Sequence, residues 1–505
     1  ELLPSVLDVL DAMKDDAPLL HERLETFSVL GIQPGGLRSD QDTRPGSNIS
    51  NHFVLETGEP TKGFQKAHLI VEREYRTTTV HQGYIEPHAA TALWNADGTL
   101  TIWCSSQGHF GIRDNVAMVL GLPVSKIKVI PMEIGGGFGA KGAGGVYLEP
   151  VAATLSKKSG QPVKITMSRT EVFIGTGPTS ATHIRVKMGA TKDGRIVAGD
   201  ATLYFQAGAW PGSPVGPAAM TAFAPYDIAN VKVVGYDVVS NRQKVVAYRA
   251  PGAPISEYGV ESIVDEIAAK LGIDPLEFRA KNAAKEGTQA AYGVKFGAIG
   301  MLETVEAAQG TEHYKTPLGP NQGRGVASGF WFNIGGESCA GIRINEDGTV
   351  SLTEGSPDIG GSRASMALMA AETLGVDYYK VKPSVVDTDA TGYHFVTGGS
   401  RVTFATGMAV VNAAKAAIDE LRARAAKVWE VEIDGVVWED GYAKPASSNV
   451  GDFDPLSLAD LAALANKTGG PISGHADINA KGAGPGFGTH ICDVEVDPET
   501  GYVTV

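Results

Sequence analysis

Cysteine is nearly absent, with three residues in 505 (Cys104, Cys339 and Cys492) and no Cys-x-x-Cys pair. An iron–sulfur cluster normally takes roughly four thiolates, so none is expected on this chain, nor is a disulfide framework. The expected setting is reducing and cytoplasmic. Positive charge is also short. There are 43 Lys and Arg against 57 Asp and Glu, a formal net charge of -14, and no basic run interleaved with aromatics. That balance argues against nucleic-acid binding. No apolar run approaches the roughly 18 residues of a membrane span. What remains is a globular chain, 43% hydrophobic and too long for one core, so two or more domains are expected.

Glycine is plentiful: 63 of 505 residues, well above the usual share of about 7%, and dispersed rather than periodic. The most informative cluster is Lys126-Ile-Lys-Val-Ile-Pro-Met-Glu-Ile-Gly135-Gly-Gly137-Phe138-Gly139-Ala-Lys141. Ile127, Val129, Met132 and Ile134 predict a strand, and Val146 to Leu155 predicts a helix directly after the glycines. A glycine loop between strand and helix lets backbone amides approach an anion beside the helix dipole. Ala140-Lys141-Gly142 lacks the hydroxyl of a Walker loop, and Glu149 comes too early for a dinucleotide fold. Taken alone, the loop fits a structural turn as well as a cofactor site.

The pattern elsewhere predicts hairpins at Asp97-Gly98, Asp193-Gly194 and Asp347-Gly348. It predicts a helix from Ser256 stopped by Gly272, and another N-capped by Asp274 with Pro275 first. Further helices are expected over Ala364 to Leu374 and Ala405 to Val428. Gln33 to Ser50 looks like an extended connector. The two halves share a plan of sheet, glycine loop and helix with no visible sequence repeat, and the class is α+β (mixed α/β).

Four further segments accompany the first loop: Trp103-Cys-Ser-Ser-Gln107-Gly-His109, Val246-Ala-Tyr-Arg249-Ala-Pro-Gly252, Gly355-Ser-Pro-Asp358-Ile-Gly360-Gly361 and Thr397-Gly-Gly399-Ser400-Arg401. Singly each is weak, and Asp358 alone reads as a turn residue. Together, in this order, they resemble the molybdopterin-binding large subunit of the xanthine dehydrogenase and aldehyde oxidase family, the molybdenum hydroxylases, over essentially the whole chain. The resemblance implies two large molybdopterin-binding domains, 66–310 and 326–505, joined by a linker at 311–325 and preceded by a remnant and connector, 1–65. The cofactor lies where the two domains meet. The resemblance assigns Gln107 an amide contact to an oxygen on molybdenum, Phe138 and Gly139 a close backbone approach, and Arg249 a place beside metal and pterin. Gly137, Gly360, Gly361, Thr397, Gly399, Ser400 and Arg401 hold pterin and phosphate. No residue ligates the metal, which hangs from the pterin dithiolene. The implied reaction hydroxylates an aldehyde or N-heteroaromatic carbon with oxygen from water. The cofactor is molybdenum–molybdopterin, with a cytosine dinucleotide form open, and 2Fe-2S and FAD subunits take the electrons in a hetero-oligomer.

The sequence departs from the family at several points. The family's general-base glutamate would follow Val505, and both ends read as cut. Glu149, Glu257 and Glu354 are expected to be solvated or helix-terminal residues rather than that base. Gly361 stands where many relatives carry glutamine. Ala250 replaces the copper-binding cysteine of the carbon monoxide dehydrogenase branch, which argues against that substrate, and Gly142 argues weakly against a purine. Phe330-Trp-Phe-Asn-Ile-Gly-Gly336 either lines the substrate pocket or belongs to a buried strand. Two other functions stay open: reductive dehydroxylation of an aromatic acyl thioester, and a non-catalytic cofactor-carrying module.

Overall fold

A computed structural model describes residues 4–24, 27, 46–142 and 146–505. The expected connector lies outside the described residues as far as residue 45. The chain folds as two compact units that interleave in sequence. The first takes 1–82, 173–333 and 484–505, and the second takes 83–172 and 334–483.

In the first unit, a five-stranded sheet runs in the order Ile49–Thr57, Val231–Val239, Ile196–Gly208, Thr182–Ala190, Leu69–Thr77. The helix Ala253–Leu271 lays Val260, Ile263, Val264 and Ile267 on that sheet against Ile184, Val186 and Leu203, all buried. Gly272 ends it in the left-handed region, at φ 66°. Asp274 caps the next helix by accepting from the amides of Leu276 and Glu277. The aromatic run resolves as buried strand: Phe330 lies in Gln322–Trp331 and packs on Phe296 and Phe487. The stretch 311–325 carries a short helix, Glu312–Lys315, and the start of that strand.

The second unit is a duplication. Its first copy comprises β1 (Ala89–Trp94), β2 (Leu100–Cys104), α1 (His109–Leu120), β3 (Ile127–Pro131), α2 (Glu149–Ser159) and β4 (Val163–Thr166). Its second comprises β5 (Gly336–Ile344), β6 (Val350–Glu354), α3 (Ser362–Leu374), β7 (Val381–Val385), α4 (Gly407–Trp429) and β8 (Ile472–Ala480). The sheets run β3-β2-β1-β4 and β7-β6-β5-β8, each with one parallel pair (β2 with β3, β6 with β7).

The absence of a repeat expected from sequence is therefore corrected. Asn95, Asp97, Gly98 and Thr99 recur as Asn345, Asp347, Gly348 and Thr349, 250 residues on. In each turn Asp97 or Asp347 accepts from the threonine amide at 2.9 Å, and the asparagine Nδ2 donates to the threonine hydroxyl at 2.9 Å. Gly121 and Gly375 end the first helix of each copy in the left-handed region, now 254 residues apart. The second copy is thus four residues longer between the end of β6 and the C-cap of α3, three in the loop and one in the helix. The repeat escapes inspection because what is kept is turn chemistry, while the apolar strand positions need only be apolar.

Two further expectations change. The strand at the glycine motif ends at Pro131 rather than reaching Ile134. The next helix begins at Glu149 rather than directly after the glycines, and Glu149 accepts from the amides of Tyr147 and Leu148 with its own carboxylate.

Candidate functional site

Gln107 follows β2 and lies at the meeting point of four loops. Its backbone N–H donates to the Lys141 carbonyl at 2.8 Å, and its carbonyl accepts from Thr397 N–H at 2.7 Å. Its side chain spans the same gap. Oε1 accepts from Gly139 N–H at 2.9 Å, and Nε2 donates to the Thr397 carbonyl at 2.9 Å. The Thr397 hydroxyl passes the link on to the Pro357 carbonyl at 3.0 Å. The loops being clamped are equivalent in the two copies: 135–141 lies between β3 and α2, and 397–401 lies between β7 and α4.

The glycines here are steric requirements. A Cβ at Gly137 would lie 2.5 Å from Gln107 Oε1. Gly136 and Gly139 have φ of 90° and 110°. Between them Phe138 is held at φ 52°, unfavourable for a side chain with a Cβ, and the ring stays half-exposed. In the equivalent loop Ser400 is held at φ 60°. Ala250, next to Arg249 in the first unit, is at φ 55°. The other described non-glycine residues with positive φ are Asn321, Glu430 and Asp440, two of them Asn/Asp types that tolerate this region and one the α4 C-cap. Strain that turn chemistry does not explain thus sits in three of the singled-out segments, and such strain gathers at functional sites.

Arg249 belongs to the first unit, in a segment fixed by Val246 N–H to the Pro178 carbonyl at 2.9 Å and by Gln82 Nε2 to the Ala247 carbonyl at 2.9 Å. A Cβ at Gly252 would meet the Pro214 carbonyl at 2.4 Å, so that turn too is specific to glycine.

Three residues are placed differently from a simple cofactor contact. Arg401 is fully buried and turned inward, with its guanidinium donating to the carbonyls of Gly335 (2.7 Å), Glu337 (2.6 Å) and Phe395 (3.2 Å) and to Ser338 Oγ (2.6 Å). Desolvation pulls its pKa down to about 10. It shapes the loop from behind. Gly360 and Gly361 sit at the α3 N-terminus at φ 140° and 106°, but their amides donate to Asp358 Oδ1 at 2.8 and 2.7 Å. Asp358 also accepts from Ser362 N–H and from Arg363. Burial pushes this carboxyl up, but those amides and the Arg363 guanidinium outweigh it and hold Asp358 well below the usual range. An internal carboxylate thus fills the anion position of that helix.

Several participants carry no recognisable sequence signal. Glu86 accepts from Gly135 N–H at 2.7 Å and from Lys141 Nζ at 2.7 Å, fixing both ends of the glycine loop. The Lys141 side chain is fully buried, and desolvation lowers its pKa against the pull of Glu86. Ser106 Oγ accepts from Gly108 N–H at 3.1 Å; its recurrence as Ser356 is a signal the duplication could have supplied. Of the three glutamates expected to be solvated or helix-terminal, one is helix-terminal and none is exposed. Glu149 is helix-terminal but buried, and Glu257 accepts from Phe330 N–H. Glu354 is fully buried, and desolvation pushes its pKa up to about 8.

A pterin-borne metal fits this cradle. It offers glycine turns too tight for side chains, one neutral buried amide, and Ser362 Oγ, which is buried with no partner among the described residues. An amide nitrogen carries two hydrogens, and the bond to Thr397 uses one of those on Gln107.

The architecture defines a duplicated cofactor-binding chain, and the comparisons give its class. The molybdopterin cofactor-binding domain family matches twice, over residues 41–283 and 274–505. The chain is 30% identical over 91% of its length to a putative xanthine dehydrogenase molybdenum-binding subunit of Escherichia coli (strain K12), covering 64% of that protein. It is 32% identical over 52% of its length to the nicotinate dehydrogenase large molybdopterin subunit of Eubacterium barkeri, covering 62% of it. A solved Cu,Mo-CO dehydrogenase superposes on the whole chain with a TM-score of 0.87 at 24% identity, over 67% of its own chain; this likeness is one of fold. The chain belongs to the molybdopterin-binding large subunits of the molybdenum hydroxylase family. It spans a little under two thirds of the length of these two curated relatives.

Proposed function

We propose that this chain is the molybdenum-cofactor-binding part of an oxidoreductase that hydroxylates an aldehyde or N-heteroaromatic carbon with oxygen from water. The observation that carries the reading is the Gln107 clamp. A buried neutral amide ties the Gly139 and Thr397 loops together and keeps one N–H in reserve. When bound, the molybdenum–pterin group supplies the redox chemistry, taking two electrons per turnover.

The residues of the chain do the rest. The second Nε2–H of Gln107 would be the donor that holds the bound group, and the glycine backbone around Phe138 would leave room for it. Gly137, Gly399 and Ser400 would hold the pterin through backbone and hydroxyl groups, with Thr397 and Arg401 fixing the 397–401 loop, while the amides of Gly360 and Gly361 stay with Asp358. The Arg249 guanidinium offers a planar fork of donors suited to oxygen-rich, anionic groups. Ala250 presents a methyl group where a copper-binding chain needs a thiolate, which disfavours carbon monoxide as substrate. The relatives' names, xanthine dehydrogenase and nicotinate dehydrogenase, favour an N-heteroaromatic ring. Electrons pass to partner subunits carrying 2Fe-2S clusters and FAD.

The test is elemental mass spectrometry of the complex from its own source, combined with turnover in 18O-labelled water using an artificial electron acceptor. The reading expects about one molybdenum per chain and label in the hydroxylated product. A ratio near zero with no pterin, or an unlabelled product, overturns it.

A further inference from the structure

We propose that Cys339, His475 and Asp477 form a zinc site on the second unit, separate from the Gln107 clamp and independent of the molybdenum reading. Cys339 lies on β5, and His475 and Asp477 lie on β8. The antiparallel register sets Cys339 opposite Asp477 and Gly341 opposite His475. Alternate residues of a strand share a face, so all three donors point the same way.

Their ligand atoms lie within 4.8 Å of one another. Cys339 Sγ is 3.7 Å from His475 Nε2, and that nitrogen is 2.9 Å from Asp477 Oδ2. Zinc binds sulfur at about 2.3 Å and nitrogen or oxygen at about 2.0–2.2 Å, which sets tetrahedral neighbours roughly 3–4 Å apart. The three atoms are already near the corners of such a face and need shifts of less than about an ångström.

The surroundings suit an ion. Cys339 is 1% exposed, whereas the side chains of His475 and Asp477 are 60% and 68% exposed. The sulfur therefore forms the floor of the site and the other two its open rim. The loop at Gly392 closes another side, where a Cβ would stand 3.0 Å from Asp477 Oδ1 and 3.3 Å from Cys339 Sγ. Behind the sulfur, Cys339 N–H is held by His394 Nε2 at 3.2 Å.

A thiolate, a carboxylate and a neutral imidazole together cancel the charge of one divalent cation. Mixed sulfur, nitrogen and oxygen donors select zinc over magnesium or calcium. On binding, the thiol proton is released to solvent and the fourth position takes a water. β8 is the edge strand of its sheet, so the ion clips an edge strand to its neighbour between residues 136 apart in sequence.

The experiment uses the whole protein with its cofactor and partners, stripped of loose metal by a chelator. Zinc is titrated in competition with a chromophoric chelator, and cobalt(II) replaces zinc for spectroscopy. The proposal expects one tight zinc per chain and a thiolate-to-cobalt charge-transfer band with intense tetrahedral d–d absorption. Cys339→Ser abolishes that band, and His475→Ala, at an exposed position that keeps the fold, weakens zinc at least tenfold. Cys492→Ser, which removes the exposed cysteine, changes neither. Absence of stoichiometric zinc, a cobalt spectrum without the sulfur band, or unchanged affinity in Cys339→Ser and His475→Ala would each overturn the site.

Discussion

Replacing Gln107 by glutamate exchanges one side-chain NH2 for an oxygen in a residue only 4% exposed. The oxygen that accepts from Gly139 N–H survives, but the donor to the Thr397 carbonyl becomes an acceptor facing an acceptor at 2.9 Å. Lys141 cannot neutralise the new charge without leaving Glu86. The introduced carboxyl therefore keeps its proton, with which it can still donate to Thr397. Buried carboxyls rise by up to about 3–5 units, so a folded value near ~7 is expected against ~4.3 unfolded. The unfolded chain then loses its proton at lower pH than the folded one. The variant matches the parent below about pH 4.5, falls behind as pH rises and levels off above the folded pKa. At ~1.36 kcal/mol per unit, the deficit at pH 7.5 is about 3–4 kcal/mol. The second unit has about 240 residues, whose unfolding entropy of ~2.1 cal/mol/K each converts that deficit into a drop of ~6–8 °C. Calorimetry of parent and Gln107→Glu at pH 5 and 7.5, with molybdenum measured on the same samples, provides the check. Near-coincident transitions at pH 5 and a lower Tm with depleted molybdenum at pH 7.5 are expected. Equal Tm at both pH values would refute the clamp.

Gly137→Ala should lower molybdenum occupancy by severalfold without abolishing folding, because its Cβ would sit 2.5 Å from Gln107 Oε1; full occupancy would mean the clamp yields. Glu354→Gln tests the buried carboxyl whose pKa is raised from 4.5 to about 8. That raised pKa gives the parent stability that is present below about pH 4.5 and lost as pH rises towards 8. The variant should flatten this slope, a difference on the order of 3 kcal/mol between pH 5 and 8, read from urea unfolding across that range. Asp358→Ala removes the acceptor of the first α3 amides and should cost about 1–2 kcal/mol. Since the Asp358 pKa is depressed, the parent should lose the same contribution as pH falls below about 4, whereas the variant has none to lose.

The sequence made local punctuation legible. Asp97-Gly98, Asp193-Gly194 and Asp347-Gly348 each turn a hairpin, Asp274 is a cap and Gly272 a stop, because these depend on a few neighbouring atoms. Gln107, Phe138 and Ser400 were singled out only through the family resemblance; in the structure Gln107 bridges the Gly139 and Thr397 loops, and Phe138 and Ser400 take positive φ. What stayed hidden is set at long range. The interleaving of the two units depends on which strands find each other across more than a hundred residues. Arg401 looks like a phosphate ligand in sequence, but four acceptors on neighbouring segments turn it inward. Glu354 looks like an exposed strand end until α3 and α4 close over the sheet. Glu86 has no pattern at all, since its role exists only once the glycine loop has folded back on it.

The duplication explains why one clamp exists rather than two. Through β2 and β6 the copies run in step at 250 residues, so Gln107 corresponds to position 357. Proline stands there, with no side-chain donor and no amide hydrogen. The loop that follows is three residues longer in the second copy, and Asp358 folds back to bind the amides of α3. In the first copy the α1 N-cap is Gly108, which makes no side-chain cap bond. One copy therefore carries a bridging amide and an uncharged helix entrance, while the other carries proline at that position and a carboxylate at its helix start. Both equivalent glycine loops then turn to the single Gln107, one through Gly139 N–H and the other through the Thr397 carbonyl. A two-fold scaffold has in this way become a one-site cradle, and the asymmetry rests on position 357 and the residues inserted after it.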